Sequence, residues 1–308
     1  MYSNESISNN FQLKEGVGTR NDAEFLRFFW EVSLDNIGKS KRWVFTDKAG
    51  SYKKWFMGFI YVMDWENDGY RIKNYRNPDG SLKSRPQNVK YLFKEGVSWG
   101  KIGSGKPSFR WRPSGYAFND AAPTIFGEES YYLLGFLNSN LFLELLKIQG
   151  ETLNLTTGVV GNLPILNLEH SEKMFLENLI DECIKISFSD WGNFETSYEF
   201  IKHPILKLQG FSKKISSSYK EWEMQSAKEK SQLKSIEEQI NDFLIKKYEL
   251  SEFVISEVKD ENITLYTMDL EFDIKSFISY AVGCSFGRYS LDEDGLVYAG
   301  GEFDPSRY

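Results

Sequence analysis

Cysteine and histidine are scarce in this chain: two of each in 308 residues. Cys183 and Cys284 lie far apart, which excludes a disulfide framework and fits a reducing cytoplasm. Neither has a metal-ligand pattern around it. His170 stands before a helix start and His203 before Pro204, positions that suit structural roles better than catalysis. No apolar run approaches the length of a membrane span, and the opening residues, Met1 to Ser6, are polar rather than a secretory signal. No Ser/His/Asp or Cys/His arrangement and no carboxylate-and-lysine cluster of nuclease type is visible. Glu221, Glu223, Glu237 and Glu238 fall on a long helical stretch and are expected to face solvent, and Asp292–Asp294 lie in a surface turn. A complete small enzyme is therefore disfavoured.

Aromatic residues are abundant, at 16%, more than a disordered chain would carry, and the length suffices for two or three compact units. The net charge of -7 argues against a general binder of polyanions, but the charge is unevenly spread. Residues 1–125 hold 20 Lys and Arg against 13 Asp and Glu, whereas residues 126–308 hold 17 against 31. Lys39–Arg112 is sharper, with 17 basic and 6 acidic residues. Trp43, Tyr52, Trp55, Trp99, Phe109, Trp111 and Tyr116 are interleaved with those cations. Basic side chains can hold phosphates while aromatic ones meet bases, so this stretch carries the footprint of a nucleic-acid site. The bland alternative is a solvated lysine-rich face.

Periodicity predicts a helix over 21–32, with Phe25, Phe28, Phe29 and Val32 on one face. Strands are predicted over 42–45, 59–63, 70–75, 97–102, 108–112 and 116–118, with turns at 67–69 and 77–80. An apolar helix over 129–147 follows, then short edge strands at 153–155 and 158–160. Residues 171–187 read as an amphipathic helix and 213–248 as one long charged helix. In that helix Leu233, Ile236, Ile240 and Phe243 step in heptad rhythm. It reads as part of an antiparallel hairpin or as a spacer. A further helix begins near Ile274.

The order from Tyr91 to Pro164 is a basic, Gly-rich, aromatic β region, an apolar helix, and a closing Gly161-Asn-Leu-Pro164. That order resembles the target-recognition domain of adenine-specific DNA methyltransferases and of restriction specificity subunits. Over most of the chain an ordered set of landmarks is similar to the large adenine-specific methyltransferases of BREX phage-defence systems, the PglX type. These are Gly16-Val-Gly-Thr-Arg-Asn-Asp22, Trp65-Glu-Asn-Asp-Gly-Tyr70, Ser84-Arg-Pro-Gln-Asn88, Val97-Ser-Trp99, Leu134-Gly-Phe-Leu-Asn-Ser139, Phe194-Glu-Thr-Ser197 and Phe277–Ser290. The resemblance implies recognition of a short asymmetric site, N6-adenine methylation with S-adenosylmethionine in the full-length family, and a part in blocking phage.

The departures are large. The (Asn/Asp/Ser)-Pro-Pro-aromatic loop that would hold a flipped adenine is absent, since the chain has no Pro-Pro pair. Gly100-Lys-Ile-Gly-Ser-Gly105 leads to Pro107 and a strand instead of a helix, so it reads as a turn and not as a donor-binding loop. Arg20 stands where the family pattern Thr-Gly-Asp/Asn has glycine, so the tight turn is not expected there.

The expected fold class is α+β. A linker helix (1–37) from a missing methyltransferase core precedes a mixed, β-rich target-recognition domain (38–168), a helical spacer (169–250) and a small α/β C-terminal unit (251–308). The chain reads as cut at both ends, a piece of a longer polypeptide. The expected DNA-contacting residues are Lys101, Ser104, Lys106, Arg110 and Arg112, with Trp99 and Trp111 beside them and Lys83 and Arg85 as further phosphate contacts. Arg110 and Arg112 are two apart on a strand and share a face. Their replacement by alanine is expected to weaken binding without unfolding, while Phe109 and Trp111 face the core. No catalytic residue, metal or cofactor is expected in this chain. The expected partners are double-stranded DNA and the missing methyltransferase half or other defence proteins, with no membrane. The rival reading is a protein-interaction module that docks a defence-complex partner through the acidic helical half.

Overall fold

The computed structural model describes residues 5–103, 105–149, 154–208, 214–298 and 303–307. It is α+β, with two four-stranded sheets and a helical layer. The strands are β1 (Gln12–Lys14), β2 (Leu26–Phe28), β3 (Trp43–Asp47), β4 (Tyr61–Asp64), β5 (Gly96–Trp99), β6 (Phe109–Arg112), β7 (Ala117–Phe118) and β8 (Thr124–Phe126). The first sheet has the order β1-β8-β5-β6 and is antiparallel throughout. The second has the order β2-β4-β3-β7, with only β3 and β7 parallel. The helices are α1 (Ile7–Asn10), α2 (Asp22–Phe25), α3 (Glu66–Lys73), α4 (Leu133–Leu137), α5 (Asn140–Gln149), α6 (Thr157–Gly161), α7 (His170–Trp191), α8 (Pro204–Lys207), α9 (Ile215–Lys247) and α10 (Leu270–Ser285).

The strands expected over 42–45, 59–63, 108–112 and 116–118 form with shifted ends, as do the two long helices, while the strand expected over 97–102 ends at Trp99. Four expectations give way to tertiary context. The helix over 21–32 stops at Phe25, because Leu26–Phe28 pairs with β4 as a strand. Residues 70–75 lie mainly in α3, which opens with left-handed Asn67, Asp68 and Gly69 (φ 50°, 58° and 70°). Asn, Asp and Gly are the residues that tolerate that conformation, and a Cβ at Gly69 would meet the Trp65 ring at 2.6 Å. The helix over 129–147 is broken at Asn138 and Ser139, where Asn138 is diverted to bracket the backbone of Phe109. Gly158–Val160 is helical, within α6, because the Thr156 hydroxyl accepts from the Val159 amide and caps a turn. Of the other expected edge strand, Leu153 lies outside the described residues, and Asn154 bridges Ile102.

One hydrophobic core runs from the first sheet into the helices. Val97, Trp99, Phe109 and Ile125 pack against Leu133, Leu134 and Phe136, and these against Ile180, Leu233, Ile236 and Ile240. Gly135 lets α4 approach closely, since a Cβ there would lie 3.3 Å from Ile180 Cδ1 and 3.5 Å from Ile240 Cγ2. α7 and α9 are antiparallel neighbours of this core, and Phe175 and Phe243 meet at 5.2 Å. The heptad seam of α9 is thus occupied inside the chain. A second core, with Phe25, Met63, Trp65, Ile72 and Phe118, fills the second sheet.

The sheet lobe is tied to the helices by residues 53–55. Glu237, expected to face solvent, is instead buried: it forms an ion pair with Lys54, and the Trp55 indole donates to it at 2.7 Å. Lys53 donates to the Thr264 carbonyl at 2.6 Å and pairs with Asp190 at 3.3 Å. The Trp55 amide donates to the Phe109 carbonyl, and the Trp111 amide to the Trp55 carbonyl, so this segment covers the free edge of β6.

Candidate nucleic-acid interface

Arg110 and Arg112 share one face of β6, as their spacing predicts, but that face is closed. Their exposures are 3% and 0%. Arg112 donates to Thr124 Oγ1 at 2.6 Å and to the Lys94 carbonyl at 3.2 Å, and its guanidinium lies 4.4 Å from the Phe118 ring centre and 5.5 Å from that of Phe126. It buttresses the space between the two sheets. Burial pulls its pKa down to about 10, against the opposing pull of Asp47. Arg110 also has its pKa lowered by burial, with Asp47 opposing. The surface orientation expected for this pair is corrected, and with it the expectation that alanine at both positions leaves the fold intact. The physical reason is that both faces of β6 are covered. Phe109 is fully buried, and Trp111 is half-buried against Tyr131 at 4.7 Å.

Trp99 is likewise not on the surface. It is fully buried, its indole donates to the Leu155 carbonyl at 2.7 Å, and its ring lies 5.7 Å from that of Phe109. Ser104 lies outside the described residues. Lys106 is exposed and donates to Asn262 at 2.8 Å. Lys101 is partly exposed and pairs with Glu15. Arg85 is exposed and lies 3.8 Å from the same carboxylate. Lys83 is exposed, 3.1 Å from the Tyr75 hydroxyl and 5.0 Å from its ring centre. That hydrogen bond, with a second from Asn21, lowers the Tyr75 pKa.

The structure adds a cluster that the sequence reading passed over. Lys14, Lys90 and Lys94 surround the Tyr91 ring at 5.7, 5.3 and 5.4 Å. Tyr91 packs on Phe126 at 4.9 Å, which fixes the ring. The loop that carries it is held in an unusual backbone: Asn88 and Phe93 are both left-handed (φ 53° and 66°). Asn88 donates to the Glu15 carbonyl at 2.8 Å, and Gly18 and Arg85 exchange backbone hydrogen bonds. Residues 83–94 are thereby fastened to residues 14–18 as one ridge. None of Lys14, Lys83, Lys90 and Lys94 has an acidic partner within ion-pair distance among the described residues. On the helices Lys173, Lys185, Lys234, Lys246 and Lys247 are paired, whereas Lys220, Lys228 and Lys230 of α9 have no acid within ion-pair distance among the described residues. The Lys90-Tyr91…Lys94 spacing was the signal in the sequence; Lys14 joins them only through the pairing of β1 with β8.

Over its whole length the chain is 32% identical to the adenine-specific methyltransferase PglX of Lacticaseibacillus casei (strain Zhang), and it covers 27% of that protein. Over 92% of its length it is 32% identical to the adenine-specific methyltransferase BrxX of Escherichia coli O9:H4 (strain HS), covering 24% of it. This chain is related to the BREX adenine-specific methyltransferases. It spans about a quarter of the length of the curated relatives it matches. No protein-family model matches it.

Methyl transfer, which the relatives' names state, needs a methyl donor, and the glycine-rich segments at 16–18 and 100–105 do not suit one. Gly16 is packed so tightly on β7 that a Cβ would sit 2.0 Å from the Phe118 carbonyl oxygen. The loop after Gly100 leads into β6, with no helix N-terminus to receive a charged donor. The turn at Arg20, by contrast, forms without the family's glycine. Arg20 itself adopts φ 59° and pairs with Asp120 at 3.1 Å.

Among the described residues no helix is long and apolar enough to cross a membrane.

Proposed function

We propose that this chain is the DNA-reading part of an adenine-specific methyltransferase of BREX type, and that the ridge of residues 14–18 and 83–94 holds the duplex backbone. The observation that carries the reading is the set of unpaired lysines gathered around Tyr91 and Tyr75 in an otherwise acidic chain. An ammonium on the face of an aromatic ring keeps its charge and remains free to meet a phosphate. Lys14, Lys83, Lys90 and Lys94 act as phosphate contacts, with Arg85, Lys101 and Lys106 flanking them. Base reading falls to side chains at the margin of the ridge. The methyl donor and the transfer chemistry belong to the remaining three quarters of a full-length relative, and the setting is the cytoplasm.

The test is selection from a pool of random duplexes at low and moderate salt, followed by sequencing of the bound fraction. An enriched asymmetric motif supports a self-sufficient recognition unit. Absence of any binding at low salt overturns the reading.

A second reading rests on exposed apolar side chains of the C-terminal region. Ile278, Val282 and Phe286 line one side of α10 at 56%, 49% and 81% exposure, with Leu291 beyond at 65%. A patch of this kind suits a protein partner in a defence complex, and binding through it would resist salt.

A further inference from the structure

Arg110 is almost wholly buried, yet it is poorly satisfied. A guanidinium offers five N–H donors, and among the described residues this one makes a single hydrogen bond, from Nη1 to Met57 Sδ at 3.4 Å, with no carboxylate within ion-pair distance. The nearest counter-charge, Asp47, is shared with Arg112, so two buried guanidinium groups face one buried carboxylate. Asp47 also gives one oxygen to the Ala49 amide, and its other oxygen has no hydrogen-bond partner. An unpaired charge in such a place is strongly disfavoured unless something answers it.

Beside Arg110 is a cavity of about 330 Å³. Its walls come from two loops that bring backbone close, one at Gly50 and one at Gly100. Gly50 takes φ 151°, and a Cβ there would meet Met57 Cε at 2.6 Å while lying 3.8 Å from Arg110 Nη1. Tyr52 and Ile102 line the sides, and Lys106 stands at the rim. A buried donor with spare N–H groups, an excess positive charge, close backbone and a lysine at the mouth are the parts of an anion site.

We propose that this cavity is an oxyanion site that takes a phosphate group, with Arg110 as its buried donor and Lys106 at its rim. It is separate from the ridge of residues 14–18 and 83–94, shares only Lys106 with the residues named for the duplex, and does not depend on the DNA reading. A backbone phosphate of DNA and a small free phosphate compound share the chemistry.

The test is thermal unfolding and calorimetric titration of the whole chain with inorganic phosphate, against chloride at matched ionic strength. The variants are Arg110→Met, which keeps the stem and removes the donors, and Ile102→Trp, which fills the mouth from a side chain that is 75% exposed. The expected result is a saturable rise of the unfolding midpoint with phosphate, and at least tenfold weaker binding in both variants with native circular dichroism. If Arg110→Met does not fold, Ile102→Trp decides alone. Phosphate acting no better than chloride, or a folded variant that binds it like the parent, overturns the proposal. A short duplex that competes with phosphate assigns the source to a DNA backbone; saturable phosphate binding without competition assigns it to a free anion. Should the chain bind no duplex while phosphate still saturates it, the DNA reading fails and the cavity stands.

Discussion

Two sets of basic residues sit within the same lobe and differ in everything but charge. Arg110 and Arg112 are enclosed, one by aromatic rings, Thr124 and a backbone carbonyl, the other beside a thioether and a cavity. Lys14, Lys90 and Lys94 are spread around a single fixed ring, with no acid within ion-pair distance among the described residues. Desolvation lowers the pKa of both arginines, whereas the lysines hold their ammonium groups over the ring, with Lys90 and Lys94 exposed and Lys14 half-buried. A basic stretch in a sequence therefore holds two kinds of cation. One kind builds the scaffold, and the other is available to a polyanion.

The comparison can be broken most severely at the tie between lobe and helices. Glu237→Ala leaves Lys54 buried without a partner, which costs about 3–5 kcal/mol. Chemical denaturation should show that loss, and duplex affinity of the still-folded fraction should hold. Burial raises the Glu237 pKa, with Lys54 pulling it down, so the pair is held against a desolvation penalty. Arg112→Ala comes next. It removes a guanidinium packed on two rings and strands its hydrogen-bond partners, for a loss of about 3 kcal/mol of stability. A stable Arg112→Ala chain with abolished DNA binding would erase the distinction between the two sets.

The triple variant Lys14→Ala, Lys90→Ala, Lys94→Ala is the converse. Surface changes of this kind leave stability within about 0.5 kcal/mol, while duplex binding at 0.1 M salt should weaken by about 100-fold. The smallest effect sharpens the picture of the helical half. His203 is buried, its Nδ1 accepts from the Ile205 amide at 3.3 Å, and burial lowers its pKa to about 4. Because the unfolded imidazole titrates near its ordinary value, the folded chain takes up the proton later as pH falls. Stability tied to His203 is therefore present above pH 6.5 and is lost on descending towards pH 4. His203→Asn keeps a capping acceptor and should show a flatter pH dependence of the unfolding free energy across that window, by about 1–2 kcal/mol.

Much of this architecture was legible in the residues. Alternation located β5 and β6, and 3.6-residue periodicity located α7 and α9, because those elements bury a face in a core large enough to enforce the pattern. What failed was local pattern overruled by distant partners. Phe25, Phe28 and Phe29 have helical spacing, yet pairing with β4 takes Leu26–Phe28 as a strand. The α+β class and the kinship with adenine-specific methyltransferases were both readable. Of the expected contacts, Arg110, Arg112 and Trp99 were placed on the right strands and assigned to the wrong environment. Alternation says which residues share a face, and it does not say that α4 and α5 on one side and the second sheet on the other will close both faces of β6. The Tyr91 cluster escaped notice because Lys14 is far away in sequence.

The most direct measurement is the salt dependence of duplex binding by the parent chain and by the triple lysine variant. The account predicts that log affinity falls linearly with log salt in the parent, and that the slope is shallower by about 2.7 in the variant, about 0.9 for each phosphate contact removed. An unchanged slope in a folded variant would contradict it.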